Sequence, residues 1–120
     1  MILEDCQIEQ ENQLVVVTIK AAQCSGVYMQ ELMEELTQRM RFDRAMHFIL
    51  DVHQVEYIDS SCIGALVSFL QELEPIHGRL ALVNCQPNVQ FLFNVTRLDT
   101  VFEMFDDLDK ARQTLLGAAA

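Results

Sequence analysis

The sequence predicts an α/β fold: one domain with a mainly parallel, mixed sheet, an antiparallel hairpin at its N-terminal edge and about four helices. Three observations carry the prediction. Strand-like and helix-like segments alternate from Leu14 onward with short connections, the pattern of right-handed crossovers onto a parallel sheet. The runs Leu14–Ile19, Phe48–Val52 and Leu80–Val83 are almost unbroken in apolar residues, as strands covered on both faces require. No repeat, linker or low-complexity stretch interrupts the 120 residues, so one domain spans 1–117 and residues 118–120 form a frayed tail.

The first strand is expected from Ile2 to Glu9, with Cys6 and Ile8 alternating, and the polar run Gln10–Gln13 as the hairpin connection to Leu14–Ile19. Ser25 and Gly26 open a helix whose apolar face carries Met29, Leu32, Met33, Leu36 and Met40, a stripe read as core packing. Arg39, Arg41 and Arg44 lie at its end, where cations complement the helix dipole. The strand Phe48–Val52 leads to a helix starting near Ser60 and stopped by Pro75 and Gly78. After Leu80–Val83, Pro87 starts a short helix with Val89, Leu92 and Phe93 on one face. Leu98 and Asp99 turn into a last strand, Val101–Phe105, and Asp106 or Asp107 caps a terminal helix packed through Leu108, Ala111 and Leu115.

The stretch Ile58–Gly64 is where strand periodicity gives way to helical periodicity, since Ile63, Leu66, Val67, Leu70 and Leu73 recur at three- and four-residue steps. Asp59 or Ser60 is placed to cap the free amides of the first turn, and Ser61 falls at the first or second helical position with its hydroxyl near the surface. Serine and aspartate are ordinary capping residues, so the pattern alone serves local structure as readily as function.

Composition narrows the chemistry. Eight basic against eighteen acidic residues give a formal charge of -10, which repels nucleic acid and anionic lipid and attracts basic protein surfaces. The apolar runs are far shorter than the roughly 20 residues that cross a bilayer, so no membrane insertion is expected. Cys6, Cys24, Cys62 and Cys85 lie apart without a Cys-x-x-Cys pair, which suits reduced thiols and a cytoplasmic location. With four glycines in all, neither a phosphate-cradling nor a dinucleotide-binding loop is present, and no cofactor is implied. His47, His53 and His77 are not spaced as a metal-ligand pair. A serine nucleophile with His53 as base lacks the Gly-x-Ser-x-Gly elbow that would expose it, so the chain reads as a binding module and not an enzyme.

On the residues Phe48 Ile49 Leu50 Asp51 Val52, Tyr57 Ile58 Asp59 Ser60 Ser61 Cys62 Ile63 Gly64, and Leu98 Asp99 Thr100 Val101 Phe102 with Asp109 Lys110 Ala111, the chain resembles the STAS domain, found in bacterial anti-sigma factor antagonists and in sulfate transporter tails. The resemblance covers nearly the whole chain, and the strand-Asp-Ser-Ser-helix junction is its most specific part. It implies a partner-switching circuit in transcription regulation: binding to an anti-sigma factor or related serine kinase, release on phosphorylation of a serine at this helix start, and restoration by a metal-dependent serine/threonine phosphatase. Carried over by position, the acceptor is Ser61, Asp59 caps the helix and orients the loop, and Ser60, Cys62 and Gly64 complete the partner-facing loop.

Two departures qualify the carry-over. Cys62 stands where the family usually has glycine, adding a side chain beside the acceptor that would narrow a kinase's access, and Lys20–Ser25 lacks the usual Gly-x-Leu-Asp pattern and its carboxylate. The competing expectation is a constitutive STAS interaction subunit of a lipid-transport ATPase or scaffold complex, indifferent to phosphate. An exposed edge strand also permits a homodimer.

Overall fold

The computed structural model describes residues 5–119, with side chains to residue 117. Its strands are β1 (Cys6–Glu11), β2 (Leu14–Ile19), β3 (Gln23–Cys24), β4 (His47–Asp51), β5 (Tyr57–Ile58), β6 (Arg79–Val83) and β7 (Glu103–Phe105). The helices are α1 (Gly26–Phe42), α2 (Ser60–Leu73), α3 (Pro87–Val95) and α4 (Leu108–Ala119). The main sheet has the order β1-β2-β4-β6-β7, antiparallel at β1-β2 and parallel elsewhere, as the alternating pattern predicts. Among the described residues no helix is long and apolar enough to cross a membrane.

Both faces of the inner strands are covered, and the period of two decides what each residue meets. Val15, Val17, Ile19, Phe48, Leu50, Leu80 and Leu82 pack on the side of α1, α2 and α3. Their neighbours Leu14, Val16, Ile49, Ala81 and Val83 pack against Ala111 and Leu115 of α4. The methionine stripe is core: Met29, Leu32, Met33 and Leu36 are all buried, while Met40 is packed at the margin. Phe48 meets Phe69 of α2 edge to face, with centroids 5.0 Å apart, a geometry aromatic quadrupoles favour.

Several boundaries differ from expectation for local physical reasons. The hairpin connection is only Asn12 and Gln13, with Asn12 at φ 56°, and the polar residues Gln10 and Glu11 belong to β1, paired with Val15 and Leu14. An edge strand tolerates them because its ladder is made by backbone groups and one face is wet. Residues 2–4, assigned to the first strand, lie outside the described residues. The last strand begins at Glu103, since a 3-10 turn at Leu98–Thr100 draws the amides of Val101 and Phe102 onto the Leu98 carbonyl. Asp107 is the cap of α4, its Oδ1 accepting from the Lys110 amide at 2.8 Å, and that helix runs on through Ala119. After α2, a 3-10 turn at Glu74–Ile76 and His77 at φ 58° lead into Gly78, where a Cβ would lie 2.5 Å from the Met46 carbonyl oxygen. Only glycine fits that approach.

Candidate functional site

The two-residue strands β3 and β5 pair in parallel, Gln23 with Tyr57 and Cys24 with Ile58, and form a ribbon apart from the main sheet. The Glu56 and Tyr57 amides extend it by donating to the Ala22 carbonyl. Each strand is followed at once by a helix cap, Ser25 after β3 and Asp59 after β5. Ser25 Oγ accepts from the Tyr28 amide at 3.1 Å, and Asp59 Oδ1 accepts from the Cys62 amide at 3.0 Å. The ribbon therefore sets two helix N-termini side by side, with their positive dipole ends at one spot.

Ser61 sits there. It is the second residue of α2, it is exposed, and its hydroxyl donates to Asp59 Oδ1 at 2.5 Å. That hydroxyl, and then the Cys62 amide, hold the Asp59 carboxyl below the usual carboxylate range. Across the junction, a Cβ on Gly26 would lie 2.1 Å from Ser61 Oγ and 2.6 Å from Ser61 Cβ. Gly26 is thus the open seat against which the serine rests. Ser60 opens α2 and is exposed, and Gly64 one turn on is exposed with nothing within 4 Å of a built Cβ. Val27 and Tyr57, respectively 68% and 60% exposed, stand one residue beyond the seat and two before the cap, the kind of apolar surface a partner covers.

Cys62 does not belong to that surface. Its side chain is wholly buried, and Sγ donates to the Cys24 carbonyl at 2.6 Å, tying α2 to the ribbon. The third helical position turns inward, so the cysteine side chain lies beneath the surface that carries Ser61 and adds no bulk beside its hydroxyl. Burial pushes its thiol up to about 11 and that of Cys24 to about 12, which keeps both protonated and unreactive at neutral pH.

The other candidates do not assemble on Ser61. The His53 ring pairs with Asp51 through Nδ1 at 2.9 Å and with the Gln54 amide at 3.3 Å, while the Ser61 hydroxyl is given to Asp59. Serine and histidine therefore share no hydrogen bond. His47 is buried in β4, where burial and the nearby Arg79 lower its pKa. No cluster of three metal-ligating side chains exists among the described residues. Gly26, Val27 and Tyr57 were not legible as site residues; the one available signal was a lone glycine directly after a capping serine.

A family profile described as the STAS domain matches residues 5–111. This chain belongs to the STAS family. Among relatives, the STAS domain is 29% identical over 69 residues to a Thermotoga neapolitana protein named an anti-sigma factor antagonist. The match takes in 58% of this chain and 61% of that relative's length. Among solved structures, the phosphorylated form of the Bacillus cell fate determinant SpoIIAA superposes with a TM-score of 0.70 at 20% identity, covering 88% of this chain and 93% of the other. A STAS protein of Planctomyces limnophilus, described as an anti-sigma-factor antagonist, superposes at 0.78 with 21% identity, over 97% and 99% of the chains. At these identities the structural likeness establishes the fold, and the family profile establishes the STAS domain.

Proposed function

We propose that this STAS domain is a phosphorylation-controlled binding module that engages an anti-sigma factor or related serine kinase, with Ser61 as the acceptor and a metal-dependent phosphatase restoring it. One observation carries the reading: an exposed serine hydroxyl held where two capped helix N-termini meet. Phosphoryl transfer from ATP to Oγ, with ADP leaving and the hydroxyl proton passing to the kinase's catalytic base, breaks the hydrogen bond that Asp59 accepts and sets a dianion at the junction. First-turn amides and dipoles favour an anion there, so the domain stays folded and the effect falls on the partner. A partner surface packed over Val27, Tyr57 and Ser61 meets that charge in a desolvated interface. The resemblance to anti-sigma factor antagonists supplies the partner class, and the formal charge of -10 favours a basic surface on it.

The test is the affinity of one isolated kinase partner for three forms of the chain. Ser61→Ala is expected to bind as the unmodified chain does, and Ser61→Asp at least about 100-fold more weakly, equivalent to about 2.7 kcal/mol. Equal binding by all three sinks the switch. The second reading, a constitutive subunit of a lipid-transport ATPase or scaffold, draws on one observation, that the Ser61 hydroxyl is already engaged by Asp59 and seated on Gly26. It predicts a stable complex indifferent to Ser61→Asp.

A further inference from the structure

A groove of about 780 Å³ runs between α1 and α2, which travel in the same direction from the ribbon, Gly26 lying beside Ser61 at one end and Thr37 Oγ1 donating to Glu72 at 3.2 Å further along. Its floor is Met33 and Phe69, and the α2 wall is low because Gly64, Ala65 and Ser68 are small. Its charges follow an order along the axis: Ser61 at the mouth, then Glu34 and Glu72, then Arg41 at the far end. Among the described residues neither Glu34 nor Arg41 has an ion-pair partner in the chain, so both present their charge to whatever lies in the groove.

We propose that this groove receives a helix of the partner protein, running antiparallel to α1 and α2, with acidic residues in its first turn at Arg41 and basic residues further on at Glu34 and Glu72. Gly26 to Arg41 is sixteen residues of α1, which at about 1.5 Å per residue accommodates a helix of about four turns. The charge order fixes which end of the partner lies at Arg41: the acidic one. Acidic first turns and basic later turns are what a helix itself favours, so the groove selects an ordinary helix in one orientation. Antiparallel placement also brings the partner's C-terminal carbonyls, the negative end of its dipole, to the paired N-termini at Ser61. The release step alone rests on the reading of Ser61 as acceptor: a dianion at that end repels the carbonyls it would face.

The test uses two synthetic peptides of about 16 residues with identical composition in Ala, Leu, Lys and Glu, N-acetylated and C-amidated, one with Glu first and Lys later, the other reversed. Fluorescence anisotropy against the full chain is expected to give at least about 5-fold tighter binding for the Glu-first peptide after each affinity is corrected for that peptide's own helix content, read by circular dichroism, since the two carry the same net charge. Gly64→Leu should plug the groove without strain, because nothing lies within 4 Å of its Cβ, and weaken that peptide by about 10-fold or more. Gly117→Leu, at a glycine equally open, should leave binding unchanged, and Arg41→Glu should erase the preference between peptides. Absent binding, equal binding of the two peptides, or indifference to Gly64→Leu in a chain with unaltered circular dichroism overturns the proposal. The peptides need no phosphate, so a Ser61 never phosphorylated in cells would end the switch and leave this result standing, while phosphorylated Ser61 with an indifferent Gly64→Leu would end the groove alone.

Discussion

The starts of α1 and α2 are built alike and do different work. Each follows a strand of the small ribbon and is capped by a side-chain oxygen three residues ahead of the amide it accepts from. At α1 the cap is neutral Ser25 and the next residue is Gly26, which supplies space. At α2 the cap is charged Asp59 and the second residue is Ser61, which supplies the hydroxyl that fills that space. One mouth is a seat and the other a hydroxyl with an anion beside it. Pairing two helix N-termini thus gives a site that neither would give alone.

The largest stability effect should come from closing the seat. Gly26→Ala places a Cβ 2.6 Å from Ser61 Cβ, an overlap no rotamer relieves, and overpacking of this kind costs about 1–3 kcal/mol. Urea denaturation should show that loss in the parent and most of it recovered in Gly26→Ala with Ser61→Gly; an undiminished loss would mean the two mouths are not coupled through Ser61. Next is the tie between them. Cys62→Ala removes a buried sulfur and its bond to the Cys24 carbonyl, costing about 1 kcal/mol, visible as faster amide exchange across β3 and β5.

Smaller effects separate the two caps. Ser25→Ala should cost about 0.5–1 kcal/mol, with no change in the acid dependence of stability, because a hydroxyl cap does not titrate in this range. Asp59 behaves otherwise. Its carboxyl is held below its ordinary 3.8, so its contribution is present above that value and fades as pH falls through the folded-state value. Asp59→Asn should therefore flatten the acid limb of a denaturation series between pH 5 and about 2 relative to the parent. An unchanged limb would show that Asp59 is not held by Ser61 and the Cys62 amide.

The fold was legible where the chain gives long signals. The inner strands show as apolar runs, α1 and α2 as stripes at three- and four-residue steps, and these set the sheet and its layers. The ribbon was not legible, because two residues such as Gln23 and Cys24 carry no periodicity and their pairing with Tyr57 and Ile58 is set by the tertiary fold. The same gap hid Gly26, whose role appears only once the two helices are side by side. Cys62 could be named from its place in the motif, but the direction of its side chain depended on where the helix begins, and with Asp59 as cap the third position faces the core.

The most direct measurement is to incubate the purified chain with ATP, magnesium and native-cell lysate under phosphatase inhibition, and to map added phosphate by peptide mass spectrometry. Phosphate on Ser61, with none at that site in Ser61→Ala, is the predicted result. An unmodified Ser61 in a lysate that phosphorylates a control substrate would contradict the switch and favour the constitutive subunit.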